Sequence, residues 1–487
     1  MHLIPISCKI QVFGSLYTIN DSQEERVLDK EKIMTELTGS LEKILKFAGC
    51  EEELAGSFRE SIAAYKKLSN KNDDDPAAVQ LRRKITEMFY KIYEAALRTS
   101  VRSGSLPPII RMLFDFGYVD EEIAGMENAV YLYGLTQNMP TCPEKGVYSI
   151  YEWLMAIYHG KKEPSRNEMD MDYRDYILEQ KKMGRLTQEQ ENALMQNNGS
   201  KVIYELTNMF PVINRLTFGQ LSIFCPLFSS HNLFKSPDSA LVKADKVEAE
   251  IENIREKDYR AFYRETRYYN QERGINEEIA VEVLPDIILM PNIGSRCIMW
   301  QEIEGKKRTT PSRMMLSLFH TEDLTQSMMR LTGEFRWEMC KRVQGGRWND
   351  ITEPSLTSEY CDYAQFYRGN KELSTDTKEK IKRQLTRARN NYRTMFVSDY
   401  TTWLLYESAG SPRLNKVARN ILFTYCPFKK EVREKIGANP LYKQPMEKYN
   451  IMNSKNQRRI SMLCRKLETT PEGVPEEIEE YRNYLEA

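Results

Sequence analysis

Histidine is scarce in this chain: four among 487 residues, at His2, His159, His231 and His320, none in a local motif with another ligand-type residue. A histidine-rich metal centre is therefore not expected. The nine cysteines are scattered and odd in number, and no two stand two residues apart. That spacing argues against a disulfide framework and a zinc ribbon, and for reduced thiols in a cytoplasm. Net charge is absent too, because 70 basic residues offset 70 acidic ones. No global field then draws the chain to nucleic acid or anionic lipid, and any such attraction must be local. No apolar run approaches the ~20 residues that cross a bilayer. The nucleophile elbow Gly-x-Ser-x-Gly, the phosphate-binding Gly-x-Gly-x-x-Gly and the zinc motif His-Glu-x-x-His are all missing, so no familiar catalytic class is indicated. No motif calls for a cofactor.

What is present is an ordinary globular mixture, 41% hydrophobic and 29% charged, at a length that suits two or three domains. The opening MHLIPISCKIQVFGSLYTIN alternates apolar and polar residues and lacks the regions of a signal peptide, which predicts an edge strand or hairpin over 1–20. From 21 to 160 the apolar spacing is helical: Leu28, Ile33, Leu37, Leu41, Ile44 and Leu45 recur three and four apart. Asp75-Pro76 reads as a cap and first-turn proline. Residues 161–200 are hydrophilic and read as a charged helical connection. A C-terminal helical domain over 201–467 follows, with a long helix expected from Ser236-Pro237 toward Gly274. A small β element is expected near 279–301, where Ile279, Val281 and Val283 alternate, and helix again from Thr310. The end, 468–487, reads as an acidic tail with an amphipathic turn or two. The fold class expected is mainly α, a multi-helix bundle or irregular helical array with a small β element.

The costliest residues gather between Pro291 and Arg368, which holds Trp300, Trp337 and Trp348 among arginines and acids. Such residues are expensive to bury without partners. Arg336, Glu338, Arg347 and Asp350 are the weak catalytic candidates there, since two converging carboxylates are needed for acid–base work. In the competing account, which we carry forward, Arg336, Arg342 and Arg347 pair with the acids around packed tryptophans. A second candidate is GKKRTTPSR, where Lys306, Lys307, Arg308 and Arg313 could hold an anion beside a helix starting at Pro311; a solvated, Thr310-capped turn is the alternative. A third is the basic stretch KEKIKRQLTRARNNYR. Lys382, Arg383, Arg387, Arg389 and Arg393 would meet a phosphodiester backbone if they share one face, with Arg413, Lys416 and Arg419 extending the patch. The alternative is pairing with acidic helices. A fourth, DYRAFYRETRYYNQER, interleaves Tyr259, Phe262, Tyr263, Tyr268 and Tyr269 with arginines. It suits base stacking, but on a helix it is expected to be a packing seam.

The strings MPNIGSRCIMWQEIEG, LTGEFRWEMCKRVQGGRWND, PSLTSEYCDYAQFYR and GSPRLNKVARNILFTYCPF carry a resemblance across 290–429. This run resembles the C-terminal region of large uncharacterised bacterial proteins that carry a cyclic-nucleotide-binding domain. The chain has no recognisable cyclic-nucleotide β-roll of its own. The resemblance implies the helical output or scaffold portion of a signalling protein. The expectation is thus a cytoplasmic regulatory or scaffold protein working through protein partners, with no membrane association. A nucleic-acid-binding module using 378–393 and an enzyme of unfamiliar class with a site near 334–359 remain the alternatives.

Overall fold

The computed structural model describes residues 31–71, 75–167, 169, 171–216, 237–299 and 312–486, with backbone alone for 210–216 and 292. The fold is mainly α with a small β element, as the apolar periodicity implied. The expected hairpin over 1–20 lies outside the described residues.

Local chemistry fixes the helix ends. The Pro76–Ser103 helix starts where the Asp75 carboxylate accepts from the Ala77 and Ala78 amides, with Pro76 in the first turn. It ends at Gly104, whose φ of 65° is one that residues with a Cβ adopt rarely. The Ile150–Tyr158 helix carries a reciprocal Ser149–Glu152 capping box.

Among the described residues, six strands form two sheets. Strand β1 (Val147–Ser149) runs parallel to β4 (Asp286–Gly294), β4 runs parallel to β6 (Arg313–His320), and β5 (Cys297–Met299) lies antiparallel on the far side of β6. Asp286 is level with Arg313, and the register shifts between Met290 and Ile293, where Pro291 has no N–H for the ladder. Strands β2 (Tyr263–Asn270) and β3 (Ile275–Glu282) form a separate hairpin. Helices Pro108–Phe116 and Ile150–Tyr158 pack on β4, while the Leu324–Gln344 helix packs on β5 and β2. One connected apolar cluster extends from Leu37 to Leu485. Tyr173, Ile177 and Tyr204 form a small separate one within and beside 161–200.

Two sequence expectations are corrected. The long helix toward Gly274 is the Ala244–Lys257 helix followed by β2, so the aromatic–arginine run lies largely on a strand. Its burial alternates residue by residue from Arg264 onward, the period of a half-covered hairpin. Aromatics three and four apart misled because period 2 and period 3.6 coincide over short stretches. The helix expected from Thr310 is instead preceded by β6. RMMLSLFH is buried throughout, and a strand covered on both faces is a continuous apolar run without alternation.

Candidate functional site

The Leu324–Gln344 helix begins at Asp323, whose carboxylate caps the Thr325 amide, and ends at Gly345. It is buried nearly all round, so its charged residues must find partners inside. Arg336 does so with a side chain only 10% exposed. Its guanidinium donates to the Arg260 carbonyl at 2.8 Å and to the Tyr425 carbonyl, and its Nε lies 3.5 Å from Asp258 Oδ2. Asp258 is fully buried and accepts from the Tyr400 hydroxyl at 2.8 Å and from the Arg260 amide at 3.0 Å. Burial raises the Asp258 carboxyl above its usual range, and Arg336 opposes that rise. For Arg336 itself burial disfavours charge, but Cys426 and Asp258 outweigh it and keep the cation.

Beside this network lies a cleft of about 100 Å³. Arg260, Arg264 and Arg336 line it together with Glu265, Cys340, Tyr425 and Tyr484. Its apolar wall is Ala280, Met339, Val343, Pro354 and Leu356. Arg260 donates its Nε to the Tyr484 hydroxyl. Burial works against the Arg260 charge, yet the Tyr484 and Tyr259 hydroxyls and Glu265 hold its pKa well up. Arg264 is different. Its Nε is buried with no hydrogen-bond acceptor, it makes no ion pair within 4 Å among the described residues, and burial lowers its pKa. Burial likewise raises the Cys340 thiol, so this sulfur is not an activated nucleophile.

The four weak catalytic candidates do not share this cleft; only Arg336 lines it. Glu338 is buried and accepts from Arg393 at 2.8 Å. Arg347 pairs with Glu353, and Asp350 accepts from the Thr352 amide at 2.9 Å within its own exposed loop. Trp337 packs between Trp348, Tyr360 and Phe396 at centroid distances of 5.3–6.2 Å. Of the pairing account, Arg347 meets Glu353 as expected, whereas Arg336 answers Asp258 from outside this stretch.

Of the anion-binding candidates, Lys306, Lys307 and Arg308 lie outside the described residues. Arg313 is described and is no surface residue. It is buried at the start of β6, donating to Ser165 Oγ and to the Glu163 carbonyl, and lies 4.6 Å over the Trp153 ring. Glu205 stands opposite, accepting from Trp153 Nε1, the Ser165 amide and Ser165 Oγ at 2.6–2.8 Å. Arg313 was misplaced because an apolar run behind it marked a central strand.

The basic stretch divides. On the Thr375–Arg387 helix Ile381 and Leu385 face inward while Lys382, Arg383 and Arg387 are exposed, as is Arg389 just beyond. Lys382 reaches Glu379 at 3.8 Å; Arg383, Arg387 and Arg389 have no ion pair within 4 Å among the described residues. Arg393 leaves the patch for Glu338, and Arg419 is buried on Glu407 at 2.8 Å. Neither extends a nucleic-acid face.

One further surface stands out. The Pro440–Glu468 helix buries Tyr442, Tyr449, Ile460, Cys464 and Leu467 along one side. At 100° per residue the opposite side carries Leu441, Lys448, Ile451, Lys455, Arg458, Met462 and Lys466, all exposed, with Ile451 at 73% and Met462 at 71%.

Sequence reasoning missed Glu265 and Tyr484 as site residues, and weighed Arg260 and Arg264 only as stacking partners on a helix. The two arginines and Glu265 fell in the run assigned to a helix, and Tyr484 in a segment taken for a tail. The signal present in the sequence was the arginine excess of that run. Among the described residues no group of three or more His, Cys, Asp or Glu side chains is placed to hold a metal, and no helix is long and apolar enough to cross a membrane.

Residues 345–484 match a family described as a domain of unknown function, DUF8509. The matched stretch takes in Tyr425, Tyr484 and the Pro440–Glu468 helix, and leaves Arg260, Arg264 and Arg336 outside. Comparison of the whole chain with curated proteins and with solved structures found no match.

Proposed function

We propose that this chain is a regulatory or scaffold protein that works by docking a protein partner on the exposed side of the Pro440–Glu468 helix. The observation behind this reading is that side itself. Leu441, Ile451 and Met462 stand in water among Lys448, Lys455, Arg458 and Lys466, with Glu447 the single acid between. Exposed apolar side chains ringed by one sign of charge suit a helix or surface that is apolar and acidic. The residues proposed for acid–base chemistry are engaged in separate pairs, which favours binding over turnover. The resemblance of 290–429 adds a finer proposal, that the chain is the output portion of a bacterial, cytoplasmic, cyclic-nucleotide-linked signalling protein.

The test is capture from a native extract by the wild type and by an Ile451→Glu/Met462→Glu variant, followed by reconstitution with the purified partner. One partner held by the wild type, lost in the variant and weakened by salt is the expected result. Equal recovery by both proteins, or turnover of a small molecule with no partner needed, would overturn the reading.

Arg383, Arg387 and Arg389, exposed and without ion pairs within 4 Å among the described residues, favour a second reading, a modest nucleic-acid contact at this edge. It predicts retention of an oligonucleotide at low salt that Arg383→Glu/Arg387→Glu abolishes. A wild type that never shifts a labelled oligonucleotide ends it.

A further inference from the structure

The cleft described above holds an imbalance of charge. Three guanidiniums line it against one carboxylate, Glu265. The nearby Asp258 is spent on Arg336 and Tyr400, and Arg260 spends its Nε on a neutral hydroxyl. Arg264 is left partly desolvated, with an Nε that finds no acceptor and no anion within 4 Å among the described residues. A cation removed from water without a counter-charge is costly, and structures keep such an arrangement where something else supplies the charge. The opening of the Leu356–Phe366 helix, at Ser355 and Leu356, also borders the cleft and adds the partial positive charge of a helix N-terminus. Facing these groups, Met339, Val343 and Leu356 offer an apolar wall.

We propose that this cleft binds a small organic anion, whose carboxylate or phosphate head is held by Arg260 and Arg264 and whose short apolar part lies against Met339, Val343 and Leu356. Arginine suits the task because its planar fork matches both head groups and stays charged when partly buried. Arg336 acts behind it as a positioning residue, since its bonds to the Arg260 and Tyr425 carbonyls tie the two sides of the cleft together. Size limits what the cleft holds. About 100 Å³ is enough to enclose a head group and a short stub, and the remainder of any larger ligand would stay outside. The site is independent of the docking side of the Pro440–Glu468 helix, so either assignment can fail without the other.

Calorimetry and thermal shift at constant ionic strength, with inorganic phosphate, glycerol 3-phosphate and butyrate as probes and chloride as the control, test the assignment. At least one probe should bind saturably, one per chain, and raise the melting temperature. Phosphate alone binding points to a free or esterified phosphoryl head, and butyrate alone to a carboxylic acid. Arg264→Met should weaken that probe about tenfold or more, the usual effect of losing a charged hydrogen bond. It should not lower the ligand-free melting temperature, because the charge it removes has no ion-pair partner among the described residues. Glu265→Gln, at an exposed position, should tighten binding by removing the opposing carboxylate. Arg383→Met, on the distant basic helix, should leave it unchanged. No saturable binding at millimolar probe overturns the proposal. So does equal binding by wild type, Arg264→Met and Glu265→Gln, or equal weakening by Arg383→Met, which would mark diffuse surface attraction.

Discussion

Asp399 shows how this protein treats a charge that it buries. Its carboxyl accepts from the Tyr360 hydroxyl and from Gln384 Nε2, both at 2.6 Å, and no cation is among the groups that shift its pKa. Burial pushes that pKa up to about 6, with the two hydrogen bonds pulling the other way. The folded chain therefore holds this proton more tightly than the unfolded chain does. Stability contributed by the protonated form is complete below about pH 4 and is lost as pH rises toward 6. We expect Asp399→Asn to remove that dependence. The stability of the variant relative to wild type should rise by roughly 2–2.5 kcal/mol between pH 4 and pH 7, read from melting curves. A difference that stays flat across this window would show that Asp399 is ionised throughout. Glu407 makes the contrast. Arg419, Tyr442 and the Arg413 and Leu414 amides all donate to it, and despite its burial its pKa is lowered. Which acid receives a cation and which receives hydroxyls is set by neighbours 12–39 residues away along the chain, so composition alone assigned neither.

Among the elements, the Leu324–Gln344 and Tyr392–Leu405 helices pack together at the tryptophan-rich centre. Gly333 permits their approach. A Cβ there would meet the Tyr400 ring at 3.1 Å and the Val397 Cα at 3.5 Å. Tyr400 cannot yield easily, because its ring is fully buried and its hydroxyl is tied to Asp258. Gly333→Ala gains about 1 kcal/mol of helix propensity but overpacks this contact at a cost of about 1–3 kcal/mol. We expect a net loss with alanine and a larger one with valine, seen as successive drops in melting temperature. An alanine variant more stable than wild type would show that the two helices can part without cost. Helices such as Pro76–Ser103 were legible in advance because caps, prolines and apolar spacing are local signals. The strand β2 was not legible, since its tyrosines and arginines fit either period and pairing with β3 decided between them. Half of the centre was therefore readable: Arg336 and its tryptophan neighbours, but not the hairpin that completes the cleft.

At the scale of the whole molecule, the last helix closes on residues more than 200 positions earlier. Tyr484 packs against Tyr263 at 4.4 Å and Tyr259 at 5.3 Å, and takes the Arg260 Nε hydrogen. The Glu476–Glu486 helix thereby covers the hairpin and one side of the cleft. Tyr484→Ala should cost about 3–5 kcal/mol through lost packing. It should also speed amide hydrogen exchange over 259–282 more than in the Thr375–Arg387 helix. Unchanged exchange in the hairpin would mean that the helix rests there without holding it.

By itself the sequence determined that this chain would be mainly helical and where many helices begin and end. Those properties follow from neighbours a few residues apart, whose effects do not depend on the rest of the chain. The tertiary structure decided what the arginines do: Arg393 and Arg419 answer buried acids, Arg313 caps a central strand, and Arg264 is left facing a cleft. A charge takes its role from what lies within about 4 Å of it in space, and that proximity is created by folding across hundreds of residues.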